Sequence, residues 1–246
     1  RKIGRQATIY TYTNSNTNIL TQFEKLGVTN QTYSNFDIPE IDEFPFLLYH
    51  REHEFIGMNV TIPYKESVIR YLDELSPEAE EIGAVNVIRV SPDNKLIGYN
   101  TDIYGFEKAL TPLLTNAHSS ALILGTGGAS KAITYVLKRL NIAFQYVSRK
   151  PGENRLSYEE LNEELIASNK LIINCTPLGT HPRIEESPPI PYGGVSNQHL
   201  LFDLVYNPPI SAFLKQGAEQ GAIIKNGYEM LQLQSEKAWE IWNFKE

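Results

Sequence analysis

The stretch SSALILGTGGASKAITYVLKRLN, Ser119 to Asn141, decides the fold. It opens with a short apolar run that reads as a strand. Gly125, Gly127 and Gly128 then make a turn, and Ile133, Val136, Leu137 and Leu140 recur at helical spacing. The unit is strand, turn, helix. Downstream the same alternation continues: strand AFQYVSRK, helical SYEELNEELIAS, strands NKLIINCTP and HLLFDLVYNPP, helix SAFLKQGAEQG, and strand AIIKNG. These strands are apolar throughout rather than at every second residue, as strands covered on both faces are. The pattern predicts an α/β fold with a mostly parallel, doubly wound sheet.

The first half reads as mixed α/β. Strands are expected at QATIYTY, QTYSNF, FIGMNVT, AVNVIRV and KLIGYN, with helices at NILTQFEKLG, IDEFPFLLYHRE and YKESVIRYLDEL. VSPDNKLIG puts Pro and Asn between two β-prone runs and predicts a hairpin loop. TDIYGFEKALTPLL has a helical period and forms a boundary helix. The final run YEMLQLQSEKAWEIW is amphipathic, with Met230, Leu231, Leu233, Ala238, Ile241 and Trp242 on or near one face, placed to cross back to the first lobe.

The chain has 246 residues, more than one core usually holds, so one large domain or two lobes are expected. Hydrophobic residues at 41% and charged residues at 21% describe a globular protein, not a disordered one. The net charge of −7 comes without a basic cluster, which argues against nucleic acid as a partner. No apolar run reaches the roughly 18 residues of a membrane span, and RKIGRQATIYTY lacks the core of a secretory signal, so a cytoplasmic protein is expected. The lone Cys175 excludes an intrachain disulfide and a cysteine-rich zinc site. It is either a buried small residue or a nucleophile. His50, His53, His118, His181 and His199 are scattered, so no metal site is expected. The proline-rich stretch from Thr180 to His199 has no period and is either a lid or a surface excursion.

A glycine turn between a strand and a helix lets a pyrophosphate approach backbone N–H groups at the positive helix end. Ser130 takes the place of the third glycine in G-x-G-x-x-G, and a tight turn without ligand is the alternative. The following strand ends YVSRKPGENR, so Ser148, Arg149 and Lys150 stand where NAD-preferring sites place an acid. A guanidinium there suits the 2′-phosphate of NADP.

In GMNVTIPYKES, Gly57 to Ser67, Pro63 fits the first turn of a helix and puts Lys65 in that turn. The helix dipole and partial burial would there disfavour the ammonium and fit it for proton transfer. GAVNVI and GYNTDIYG add Asn86, Asn100, Thr101 and Asp102. Asp102 is either a helix cap or a carboxylate partner for Lys65.

NVTIPYK, IGAVNVI, GYNTDIYGF, LGTGGASKA, NCTPLGT, DLVYNPP and NGYEMLQLQ, in this order, resemble the shikimate dehydrogenase family from about Gly57 to the C-terminus. The resemblance implies NADP-dependent reduction of 3-dehydroshikimate to shikimate, a step towards chorismate and the aromatic amino acids, by a monomer or homodimer. It implies a substrate domain, 1–101 joined by 228–246, and a Rossmann-like NADP domain, 102–227. Lys65 and Asp102 match the catalytic pair; Thr61, Asn86, Tyr206 and Gln234 match substrate positions. Gly125, Thr126, Gly127, Gly128 and Ala129 match the pyrophosphate turn, and Ser148, Arg149 and Lys150 the nucleotide-selecting segment, with only Arg149 keeping the family residue. Thr176, Leu178, Gly227 and Met230 fall on the nicotinamide side. Thr11 and Thr13 stand where the family has a Ser-x-Ser pair for the substrate carboxylate. That departure keeps quinate, possibly with NAD, as an alternative substrate, and a non-catalytic ligand sensor as an alternative class.

Overall fold

The computed structural model describes residues 7–11, 31–35, 38–49, 56–61, 63–150, 152 and 155–243. The expected helix NILTQFEKLG, Thr13, His50 and His53 lie outside them. The chain divides into two units, Arg1–Thr101 with Gln234–Glu246, and Asp102–Leu233.

In the first unit, β1 (Ala7–Thr11) and β2 (Gln31–Asn35) pair in parallel. After α1 (Phe44–Tyr49) come β3 (Gly57–Asn59), β4 (Glu74–Leu75), α2 (Pro77–Ile82), β5 (Val87–Val90) and β6 (Leu96–Tyr99). Sheet order is β3-β5-β6-β4, antiparallel except for β4 beside β6. The hairpin expected at VSPDNKLIG joins β5 to β6, closed by Ser91 N–H on the Lys95 carbonyl at 3.0 Å. Local chemistry bounds α2: the Ser76 hydroxyl accepts from the Ala79 N–H, Pro77 sits in the first turn, and Gly83 ends the helix at φ +66°. Met58, Val68, Val85, Ile88 and Leu96 form the core. A second cluster joins Val87 to Ala238 and Trp242, whose indole N–H donates to the Ile88 carbonyl at 3.0 Å.

Lys65 does not lie in an α-helix, contrary to the sequence expectation. Pro63–Glu66 form a turn, and a five-residue 3-10 helix, Ser67–Tyr71, follows. The Lys65 carbonyl accepts from the Val85 N–H at 2.7 Å, and Ile69 N–H turns instead to the Glu66 carbonyl at 3.3 Å. An acceptor committed to Val85, just before β5, pulls the chain off the α-helical ladder. Lys65 therefore precedes a short 3-10 helix instead of standing in the first turn of an α-helix.

The second unit comprises α3 (Asp102–Leu110), β7 (Ser120–Leu124), α4 (Gly128–Arg139), β8 (Ala143–Val147), β9 (Arg155–Leu156), α5 (Glu163–Ser168), β10 (Leu171–Asn174), β11 (Leu200–Asp203), α6 (Ala212–Glu219), β12 (Ile223–Lys225) and the start of α7 (Tyr228–Trp242). Its sheet runs β12-β11-β10-β7-β8-β9, parallel throughout. Every residue of β10 and β11 is buried, which is why these strands read as unbroken apolar runs. Leu122, Leu124, Ile166, Ile172, Leu201 and Phe213 share one core. Phe106 of α3 meets Phe202 edge to face, with centroids 5.1 Å apart. SYEELNEELIAS is not one helix: Ser157 and Glu160 make a capping box on a 3-10 turn, and Asn162 caps α5 separately. The proline-rich stretch sends Ile190 and Val195 into the core, so this part is a packed strap.

Candidate functional site

In the first unit the polar residues converge on Asn86, 5% exposed. Its side-chain NH2 donates to the Thr101 hydroxyl at 3.1 Å and to the Gln234 oxygen at 3.3 Å. Its oxygen accepts from the Thr101 N–H at 2.7 Å. The backbone binds the neighbours in: Asn86 carbonyl accepts from Val60 N–H at 2.8 Å, Asn86 N–H donates to the Tyr99 carbonyl, and the adjacent Val85 N–H holds Lys65. Asn100 donates to the Ala84 carbonyl at 3.0 Å. Thr61 and Lys65 are half-buried on the segment that these bonds tether. Thr11 ends β1. Asp102, buried, opens α3 directly after Thr101 and belongs to the second unit.

In the second unit the candidates leave one row of the sheet. Asp203, Asn174, Leu124 and Val147 are register partners across β11, β10, β7 and β8. One residue further, Leu204, Cys175, Gly125 and Ser148 each donate a backbone N–H to the preceding carbonyl of the next strand, at 2.8 to 3.0 Å. This is the carboxyl edge, where open α/β sheets bind ligands.

Gly125 has φ +100°, which a side chain disfavours, and an added Cβ would lie 3.0 Å from Thr176 Cγ2. Gly127 caps α4 and Gly128 begins it, and an added Cβ at either meets no protein atom within 4 Å. The packing of the chain does not require these two glycines, whereas a pyrophosphate held on the first α4 amides does. Thr126 is exposed and Ala129 half-buried beside them. Arg149 and Lys150 are exposed beyond β8, and the Ser148 hydroxyl accepts from the Lys150 N–H at 3.4 Å. These residues fit a dinucleotide phosphate. Gly227 differs: a Cβ there would sit 2.2 Å from the Leu204 carbonyl oxygen, so close backbone approach alone explains it. Met230 is buried in α7, Leu178 N–H donates to the Thr176 hydroxyl at 3.3 Å, and Tyr206 is half-buried after β11.

Sequence reasoning missed Asn174, Asp203 and Ser211. Asp203 is fully buried; desolvation pushes its carboxyl up to about 6, opposed by hydrogen bonds from Ser211, Val205 and Asn174. A polar side chain ending an otherwise apolar buried strand is the signal that could have found it. Desolvation raises the Cys175 thiol well above its ordinary range, which favours the protonated thiol over a nucleophilic thiolate. Burial also raises Tyr158, to about 12, despite the nearby Arg149 charge.

A parallel sheet with this glycine turn at its carboxyl edge defines a Rossmann-type dinucleotide-binding protein, here carrying a second, mixed α/β unit. A family model described as the shikimate dehydrogenase substrate binding domain matches residues 12–88. Shikimate dehydrogenase (NADP(+)) of Clostridium botulinum is 40% identical over 217 residues, 85% of this chain and 83% of that protein. The chain belongs to the shikimate dehydrogenase family. Among solved structures, a chorismate mutase/shikimate 5-dehydrogenase fusion protein from Clostridium acetobutylicum aligns with a TM-score of 0.79 at 33% identity, over 98% of this chain and 91% of that one. Shikimate 5-dehydrogenase from Thermus thermophilus, in complex with NADP(H) and shikimate, aligns at 0.82 and 27% identity, over 97% and 93%.

Proposed function

We propose that the chain is an NADP-dependent shikimate dehydrogenase, an oxidoreductase acting on a CH–OH group that interconverts 3-dehydroshikimate and shikimate in the cytoplasm, as a monomer or homodimer. The observation that carries this reading is the hydrogen-bonded assembly around Asn86, which joins Thr101 and Gln234 beside the tethered Lys65 segment. It supplies amide and hydroxyl groups of the kind that bind ring hydroxyls. Residues 1–101 with 228–246 form the substrate domain in this reading, and 102–227 the NADP domain.

Bound NADPH supplies a hydride to the carbonyl carbon of the substrate. Gly125, Thr126, Gly127, Gly128 and Ala129 hold its pyrophosphate, Ser148, Arg149 and Lys150 its 2′-phosphate, and Thr176, Leu178, Gly227 and Met230 line the nicotinamide side. Thr61, Asn86, Tyr206 and Gln234 orient the ring hydroxyls, and Thr11 and Thr13 take the carboxylate. Lys65 gives a proton to the oxygen that gains charge, and Asp102 orients the ammonium. A positioned acid of this type contributes about 10² to 10⁴ in rate.

The test follows absorbance of the reduced nicotinamide with shikimate or quinate, each with NADP or NAD. Shikimate with NADP is expected to give the highest kcat/KM; dominance of quinate with NAD overturns the assignment. Lys65→Ala that binds NADPH yet turns over at a near-normal rate removes Lys65 from the mechanism.

A further inference from the structure

Asp203 is the one acceptor-only side chain in a buried chain of groups that can each face either way. Its Oδ1 accepts from the Asn174 side-chain NH2 at 2.9 Å and from the Val205 N–H at 3.0 Å. Its Oδ2 accepts from the Ser211 hydroxyl, which in turn accepts from Leu214 N–H at the start of α6. On the far side, the Asn174 oxygen accepts from the Thr176 N–H at 3.0 Å and from the Thr176 hydroxyl at 2.6 Å. Thr176 Oγ1 then accepts from Leu178 N–H.

An asparagine amide can present either end, and a hydroxyl can give or take. An ionised carboxylate can only accept. Placed at one end of the chain, Asp203 forces the Asn174 NH2 towards itself and the Asn174 oxygen towards Thr176. The Thr176 hydroxyl proton is thereby spent on Asn174, and its free lone pair receives Leu178 N–H. Reversing Asn174 would point an NH2 at the Thr176 N–H, donor against donor, and release the 176–178 segment. Asn174 and Asp203 are fully buried, so a mismatch between them goes unmade, whereas Thr176 and Leu178 are half-buried and lose less.

We propose that Asp203 is a positioning residue for the cofactor: through Asn174 it fixes the polarity of the hydrogen bonds that set Thr176 and Leu178 against the nicotinamide end of NADP. The assignment rests on the proposed dehydrogenase function, because it needs the 176–178 segment to meet NADP. A purely architectural role, capping α6 and closing β11, is the competing account, and it works through Ser211 rather than Asn174.

The two accounts separate by calorimetric titration of NADP into the whole chain, with thermal denaturation of each variant and steady-state kinetics alongside. Asp203→Asn keeps the shape but exchanges the charged acceptor for a neutral amide, which weakens the hold on Asn174 and turns an NH2 towards Ser211. It is expected to weaken NADP binding about tenfold, with KM for NADP rising in parallel and kcat at saturation falling by less than about threefold. Ser211→Ala, which cuts only the α6 side, is expected to leave NADP affinity within about twofold while lowering the melting temperature. Should Asp203→Asn fail to fold, Asn174→Ala interrupts the same chain and is expected to weaken NADP binding to a similar degree. NADP affinity unchanged in Asp203→Asn, or in Asn174→Ala where the first does not fold, overturns the assignment. So does a loss in Ser211→Ala as large as theirs. Failure of the unsubstituted protein to bind NADP overturns the dehydrogenase reading, and this inference with it.

Discussion

Asn86 and Gln234 are 148 residues apart in the chain, yet the Asn86 amide donates to the Gln234 side-chain oxygen at 3.3 Å. The same amide holds Thr101, whose buried N–H has the Asn86 oxygen as its acceptor at 2.7 Å. The two residues therefore stand in an unequal relation: Asn86 is buried and holds the backbone of Thr101, while Gln234 is half-buried and joins at the edge. Asn86→Ala strands the Thr101 donor and is expected to cost about 1 to 3 kcal/mol of unfolding free energy. Gln234→Ala is expected to cost less than about 1 kcal/mol and to raise the KM for shikimate roughly tenfold. Urea titration and steady-state kinetics on the two variants measure both quantities, and equal stability losses contradict the asymmetry.

The glycine turn makes a second division between folding and binding. Gly125 holds φ +100° with Thr176 against it, so Gly125→Ala is expected to destabilise the protein by about 1 to 3 kcal/mol. Gly128→Ala adds a methyl group to open space at the start of α4, and should leave stability unchanged or raise it by up to about 1 kcal/mol. Its cost is expected to fall on NADP binding, because the proposed pyrophosphate site lies in that space. Denaturation midpoints compared with NADP dissociation constants decide it; a Gly128→Ala protein that binds NADP normally removes the pyrophosphate from this turn.

How much of this was legible in the sequence depended on where the determining contact lay. The second unit's sheet could be read because β10 and β11 are buried on both faces, which demands unbroken apolar runs. Caps were legible where they are local, as at Ser76–Pro77. The Lys65 segment was misread because its geometry is set by Val85, twenty residues on, taking the carbonyl an α-helix would have used. Asp203 went unremarked because a single aspartate inside the expected strand HLLFDLVYNPP does not show what surrounds it. Its burial follows only from the strands and helix packed around it. The Asn86–Gln234 bond is equally non-local, and only the family resemblance placed those two residues in one site.

Arg149 is exposed beyond β8, so its removal should leave folding alone. Arg149→Ala is expected to change unfolding free energy by less than about 0.5 kcal/mol. The planar fork of a guanidinium meets two phosphate oxygens at once, so kcat/KM with NADP should fall by about 10² while that with NAD stays nearly constant. Lys150→Ala, which removes a point charge from a flexible stem, should have the smaller effect. Parallel assays with both dinucleotides read the ratio; an NADP-to-NAD ratio unmoved by Arg149→Ala places the 2′-phosphate elsewhere.

Two buried histidines in the second unit close matching turns. The Thr115 N–H donates to His118 Nδ1 at 3.0 Å, and the Ser196 N–H to His199 Nδ1 at 3.0 Å. Nδ1 is thus an acceptor in both rings, so each is neutral, with its proton on Nε2; that of His199 goes to the Ile166 carbonyl at 3.0 Å. Burial, as the largest cause, holds both below the ordinary histidine value of 6.5. Below that pH the unfolded chain binds protons that the folded chain refuses, so the contribution of these rings is complete above 6.5 and is lost as pH falls towards their folded values. Asp203 works in the opposite sense: its carboxyl, raised from 3.8 to about 6, lets the folded state take a proton first and gain stability as pH falls through the same window. The unsubstituted protein alone would mix the two effects, and His118→Gln with His199→Gln separates them. The stability advantage of the unsubstituted protein over the double variant should shrink as denaturant titrations move from pH 7 to about 5. A difference constant across that range would mean that the rings stay neutral in both states or charge equally in both.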